Sequence, residues 1–142
     1  MLRIGRGKNM EFEGLQAELS TRVLGVFYSV ANELGHGFFE SVYRRSMVIA
    51  LREAGLKVAE EVPMSVTFHG LEVGVFVADI VVNDLLILEL KAADEVTRAA
   101  ETQLKHYLRS SDIEVGFVLA FGERAKFKRL LFTNDRKVGV QV

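Results

Sequence analysis

Cysteine is absent from the 142 residues. That excludes disulfides and thiolate-bound metal, and it suits a reducing compartment. Proline occurs once, and no Ser/Gly-rich tract interrupts the chain, so no linker, low-complexity segment or repeat divides it. No apolar run approaches the ~20 residues of a membrane-spanning helix. The opening MLRIGRGKNMEFEG has no apolar centre of signal-peptide length. These absences predict a soluble, cytoplasmic protein with no membrane contact. An excess of either charge is missing too, since 18 Lys and Arg against 19 Asp and Glu leave a net charge of -1. The whole chain is no polycation, so any binding to nucleic acid has to come from a local patch. The three histidines stand at unrelated spacings with no H-x-x-x-H, and no G-x-x-x-x-G-K-[ST] occurs. Zinc-helix and phosphate-loop chemistry therefore find no support.

What is present fits one globular domain over 1–142, with 49% hydrophobic and 26% charged residues. Residues 1–12 are expected to form a flexible N-terminal extension. Between Leu15 and Leu34 the apolar positions Leu19, Val23, Val26, Phe27 and Val30 recur at threes and fours, which predicts a helix stopped by Gly35 and Gly37. A second helix carries Phe39, Tyr43, Met47, Ala50 and Leu51 on one face and ends at Gly55. The period then changes. VPMSVTF and LEVGVFVADIVV alternate as strands do, with His69-Gly70 as their turn. After a short Asn83-Asp84 turn, LLILELKA is apolar on both faces and is expected at the centre of the sheet. Residues 95–109 return to helix, with Gln103 and Tyr107 counted on its inner face. EVGFVLAFG and FKRLLFT read as two more strands, and 138–142 as a last one. The order predicts an α/β (α+β) fold, a central mixed sheet flanked by helices.

Inside the apolar LLILELKA, Glu89 and Lys91 project from one face, while Leu88 and Leu90 face the other way. Burying either charge alone costs several kcal/mol or more. Asp79 lies in the preceding strand, and a tight Asn83-Asp84 turn sets it roughly opposite Glu89. Two crowded carboxylates repel unless a cation sits between them. Mg²⁺ or Mn²⁺ suits such a pair, because Mg²⁺ takes oxygen ligands from one or two carboxylates plus water. Such a site activates water and stabilises charge on a phosphoryl group. The plainer alternative is an internal ion pair of Lys91 with Asp79 or Glu89, since E-x-K is a common tripeptide. Arg124, Lys126, Lys128, Arg129, Arg136 and Lys137 crowd near the C-terminus. They form either a solvated face or a phosphate-tracking patch.

Asp79 followed ten residues later by Glu89-Leu90-Lys91 resembles the D…(D/E)-x-K signature of the PD-(D/E)XK nuclease superfamily. The element order around it resembles that superfamily's core. Gly37-x-x-Glu40-x-x-Tyr43 resembles the motif of its GxxExxY branch. The Gln103…Tyr107 helix and the strand VGFVLAFG are similar to that family's later motifs. The likeness runs from about Leu15 to Leu131. His36 and Ala120 depart from the family's usual proline and asparagine without touching a proposed ligand. The resemblance implies a metal-dependent phosphodiesterase acting on DNA or RNA, and since no residue here reads bases, binding is expected to be sequence-independent. Its metal ligands would be Asp79 and Glu89, with Glu40 as a third carboxylate. Lys91 would position water, and Gln103, Tyr107 and Tyr43 would contact substrate or orient the site. The alternative is a non-catalytic nucleic-acid-binding or structural module, perhaps a homodimer or part of a larger complex, that keeps the nuclease fold.

Overall fold

The computed structural model describes residues 2–4 and 10–137. Strand β1 (Leu2–Ile4) pairs antiparallel with β2 (Met10–Phe12). The rest of the segment expected as a flexible extension lies outside the described residues, as does the strand expected at 138–142. Helices α1 (Ala17–Leu34) and α2 (Glu40–Glu53) follow, then β3 (Val58–Phe68), β4 (Leu71–Val82) and β5 (Leu86–Lys91). Helix α3 (Arg98–Arg109) leads into β6 (Val115–Phe121) and β7 (Ala125–Leu131). The five long strands form one sheet in sequence order. Only β5 and β6 are parallel; the other neighbours are antiparallel. A mixed sheet results, with β5 at its centre.

The sequence explains the layers. The even residues of β5, Leu86, Leu88 and Leu90, pack with α1 and α2 in one core. Ile87 and Val118 face the other way, against Ala100, Leu104, Tyr107 and Leu108 of α3. A strand with leucine or isoleucine on both faces is buried on both, and every residue from Leu86 to Leu90 is buried. Helix α3 starts where the Thr97 side chain accepts from the Ala100 N–H at 3.1 Å. It lies close on the sheet because residue 116 is glycine. A Cβ there would stand 2.7 Å from a Leu104 methyl and 3.1 Å from the Ile87 carbonyl oxygen. Helix α1 stops at Gly35, whose φ of 74° is a conformation that L side chains rarely adopt.

Asn83 and Asp84 both have left-handed φ, at 52° and 56°, and with Leu85, whose N–H donates to the Val82 carbonyl at 2.9 Å, they form the three-residue loop between Val82 and Leu86. From this turn β4 pairs with β5 over Ile80–Leu88, Val81–Ile87 and Val82–Leu86, and there the ladder ends. Beyond it β4 continues with β3 alone, as a two-stranded arm. The arm is also out of phase with its base. Ile80 and Val82 pack towards α1 and α2, and Val81 towards α3. Strict alternation would turn Ala78 and Phe76 away from α3, yet both pack on it. Opposite this slip, Glu61 has a left-handed φ of 48°, and Ala59 and Val62 both face α3. The pleat therefore skips a beat at residues 61 and 79, and Asp79 sits at the skip.

Candidate active site

Where β4 and β5 part, Asp79 takes over the ladder's work with its side chain. Its Oδ2 accepts from the Leu90 N–H at 2.8 Å. That backbone donor would otherwise face the opening gap without a strand partner. The same bond fixes the Asp79 carboxylate beside Glu89, the residue that stands opposite it by continuation of the Ile80–Leu88 register. Glu89 is only 4% exposed, and its Oε2 is buried without a hydrogen-bond partner. Burial is the first reason its carboxyl is pushed up to about 9, and the adjoining Asp79 carboxylate is the second. The Lys91 ammonium and the Tyr107 hydroxyl pull the other way and are outweighed. Tyr107 is itself raised, by burial first and then by the charge of Glu89. Its ring stacks on Phe76 of the arm at 4.1 Å, so α3 and the arm together wall the carboxylate pair.

The expected residues divide into two groups. Asp79, Glu89, Lys91 and Tyr107 come together, with Gln103 beside Tyr107. Gln103, counted on the inner face of its helix, is instead exposed. Its side chain lies at the surface, where it reaches the Tyr107 hydroxyl. Tyr43 and Glu40 stand apart. Tyr43 is fully buried in the core on the α1–α2 side. Its ring stacks on Phe121 at 4.3 Å, and its hydroxyl donates to the Gly35 carbonyl at 2.6 Å. That bond fastens the α1–α2 loop. Glu40 opens α2 and is exposed. Among the described residues no three His, Cys, Asp or Glu side chains gather as a metal-holding group. The expected third carboxylate is therefore not beside the other two. The helix layer that carries Glu40 packs on the sheet face opposite to Glu89.

The donor set suits a hard divalent cation. Two carboxylates meet, and one oxygen of Glu89 lacks any partner. A cation between them would supply that partner and cancel the repulsion.

One structural feature escaped the sequence. Asp94, three residues past Lys91, accepts from the Glu123 N–H at 2.8 Å through Oδ1, and a Cβ on Gly122 would collide with the Asp94 backbone. The β5–α3 and β6–β7 connections are thereby locked together just beyond the site. The Phe121-Gly122 pair was visible as a motif, but its partner Asp94 was not.

A family model described as the PD-(D/E)XK nuclease superfamily matches residues 17–130. No curated protein matches the sequence. Among solved structures, the crystal structure of SSO0001 is similar, with a TM-score of 0.51 and 17% sequence identity. The similarity covers 82% of this chain and 57% of that one. At that identity the likeness concerns the fold.

Proposed function

The chain belongs to the PD-(D/E)XK nuclease superfamily, and on that premise we propose that it hydrolyses phosphodiester bonds of DNA or RNA at Asp79, Glu89 and Lys91. The observation that carries this reading is the unpartnered, buried Oε2 of Glu89 beside a second carboxylate. A purely structural ion pair would have used that oxygen. Burying a carboxylate with a bonding site unfilled is costly, and a ligand is the economical reason to keep it.

Asp79 and Glu89 would hold Mg²⁺ or Mn²⁺. Such an ion supplies a Lewis acid for a phosphoryl oxygen and lowers the pKa of water. The chain's own residues do the rest. Asp79 is held at the strand gap by its bond to Leu90, so its free oxygen points at a fixed place. The Tyr107 hydroxyl orients Glu89. Lys91, two residues along the same strand face, sets its ammonium against the attacking water or a non-bridging phosphate oxygen. Water attacks phosphorus, the P–O bond to the leaving sugar breaks, and the leaving oxygen takes up a proton. Exposed Gln103 stands where it can meet the phosphate backbone. Glu40 is assigned no ligand role in this arrangement. Nothing at the site reads bases, so cutting would be independent of sequence. Gly37, Glu40 and Tyr43 support placing the chain in the GxxExxY branch. A cysteine-free chain fits work in the cytoplasm, and no helix among the described residues is long and apolar enough to cross a membrane.

The test is Mg²⁺- or Mn²⁺-dependent nicking of single- and double-stranded DNA and RNA, with variants purified in parallel. Asp79→Asn is expected to abolish both ion binding and cutting. Lys91→Ala is expected to leave ion binding intact and to slow cutting on the order of 10²–10³-fold, the usual loss of one such interaction. Equal trace activity in wild type and both variants sinks the reading.

A further inference from the structure

Two adjacent phenylalanines in the α1–α2 loop are exposed. Phe38 is 45% exposed and Phe39 is 83% exposed, the most of any large hydrophobic side chain among the described residues. Leaving such a ring in water forgoes the burial that stabilises other phenylalanines. The loop that carries them is not slack. The Tyr43 hydroxyl bonds to the Gly35 carbonyl, and the Phe38 N–H approaches the same hydroxyl at 3.4 Å. The Phe38 ring meets the Tyr43 ring edge-on at 6.0 Å. Through Tyr43 and Phe121 the loop is seated on the end of β6.

That end lies beside the connection that leads out of β5 after Lys91. A cavity of about 270 Å³ is lined by His36–Phe38, Phe121, Gly122 and Ala92–Asp94. Ala93 is two residues past Lys91, so the two are at most about 7 Å apart along the chain. The cavity has room for one flat ring rather than a larger ligand. Among the described residues no Lys or Arg lines it and His36 adds an imidazole, while its carboxylate, Asp94, is engaged with the Glu123 N–H. With Phe38 and Phe121 in its wall it suits an aromatic face better than a phosphate.

We propose that the Phe38–Phe39 loop is a stacking subsite for an unpaired nucleobase next to the scissile phosphate, so that the substrate is single-stranded at the point of cutting. A base inside a duplex is already stacked on both faces and cannot lie against these rings. An unpaired one gains a platform, and such stacking tolerates any base. This proposal rests on Asp79, Glu89 and Lys91 being the place where phosphate is cut.

The experiment measures binding without cutting. Fluorescence anisotropy in EDTA at low salt compares a short labelled oligothymidylate with a blunt duplex of equal length, for wild type, Phe39→Ala and Phe38→Ala. Wild type is expected to favour the single strand. Each variant is expected to weaken single-strand binding on the order of tenfold and to leave duplex binding unchanged. The proposal is overturned if wild type shows no single-strand preference, if both variants bind as wild type does, or if both nucleic acids weaken alike. Phe39 is exposed enough that its replacement leaves folding alone. Should Phe38→Ala fail to fold, photocrosslinking of wild type to an oligonucleotide carrying 5-iodouracil decides: an adduct on Phe38 or Phe39 supports the subsite, and adducts only elsewhere overturn it. Cutting is scored separately with Mg²⁺ or Mn²⁺. A chain that never cuts but keeps its Phe39-dependent preference refutes the nuclease reading alone, while one that cuts and is indifferent to both substitutions refutes the subsite alone.

Discussion

The two ends of the β4–β5 pair are built from neighbouring residues to opposite purposes. At the Asn83-Asp84 end the ladder is in register, and Ile80, Val82, Leu86 and Leu88 are fully buried. At the Asp79–Glu89 end the strands part, a carboxylate replaces a backbone acceptor, and a second carboxylate is buried with an oxygen unfilled. The first end maximises burial and satisfied hydrogen bonds. The second keeps the burial but leaves a carboxyl oxygen unfilled, within the span of one residue. The stability of the closed end is what allows the open end to keep a buried carboxyl group with an unfilled oxygen.

Three measurements sharpen that contrast. The largest effect is expected at the closed end. Leu88→Ala leaves a cavity between the sheet and the α1–α2 layer and should lower the denaturant-unfolding free energy by about 2–5 kcal/mol. An effect below about 1 kcal/mol would mean that the closed end does not anchor the pair.

At the open end the sign reverses. Glu89 keeps its proton in the folded chain up to about pH 9, whereas in the unfolded chain it loses the proton near pH 4.5. Across that window unfolding releases a proton, so wild-type stability falls as pH rises from about 4.5 towards 9 and then levels. Glu89→Gln removes this slope. In EDTA it should be more stable than wild type at pH 8, on the order of 2 kcal/mol, with the gap closing towards pH 5. Adding Mg²⁺ or Mn²⁺ should raise the melting temperature of wild type and not of the variant. Parallel pH profiles for the two proteins would show that the carboxylate pair stores no such penalty.

The smallest effect belongs to the surface of the closed end, where Lys57 and Asp84 pair at 2.7 Å with both side chains largely exposed. Lys57→Ala should change stability by no more than about 0.5 kcal/mol, less in high salt. A larger loss would place part of the closed end's strength in its turn rather than in its core.

Most of the architecture was legible because it follows periodicity. The 3.6-residue stripe of α1, that of α2 from Tyr43 on and the two-sided apolar run of β5 each specify their burial, while Phe39, counted on the α2 stripe, caps the helix and is exposed. The Asp79…Glu89-x-Lys91 spacing was legible for a similar reason, as a tight turn fixes what lies opposite what. The failures came where periodicity was interrupted or incomplete. Val73, Val75, Val77, Asp79 and Val81 alternate without a break in sequence, which reads as one face. The slip at residues 61 and 79 puts Val81 on the α3 side while Val77 stays exposed. No residue type announces that slip, for Glu61 adopts its left-handed backbone without being glycine. Gln103 sits at the rim of the α3 stripe, one position from the buried Leu104, and a helical wheel does not resolve rim from interior. Glu40 shares a motif with Tyr43, yet the motif's geometry serves the loop that Tyr43 fastens.

The slip at Glu61 and Asp79 also has a bearing on how this protein tolerates insertions and deletions. In an ordinary hairpin, losing one residue turns every side chain beyond it inside out. Here the chain already contains such a reversal, matched on both strands. Removing Glu61 alone, or Asp79 alone, would restore alternation on one strand and leave its neighbour reversed. Removing both would give a continuous hairpin that keeps Ala78 and Phe76 towards α3 but loses the Asp79 carboxylate. The arm's length can change at its His69-Gly70 tip without consequence for the carboxylates. Its base cannot lose a single codon.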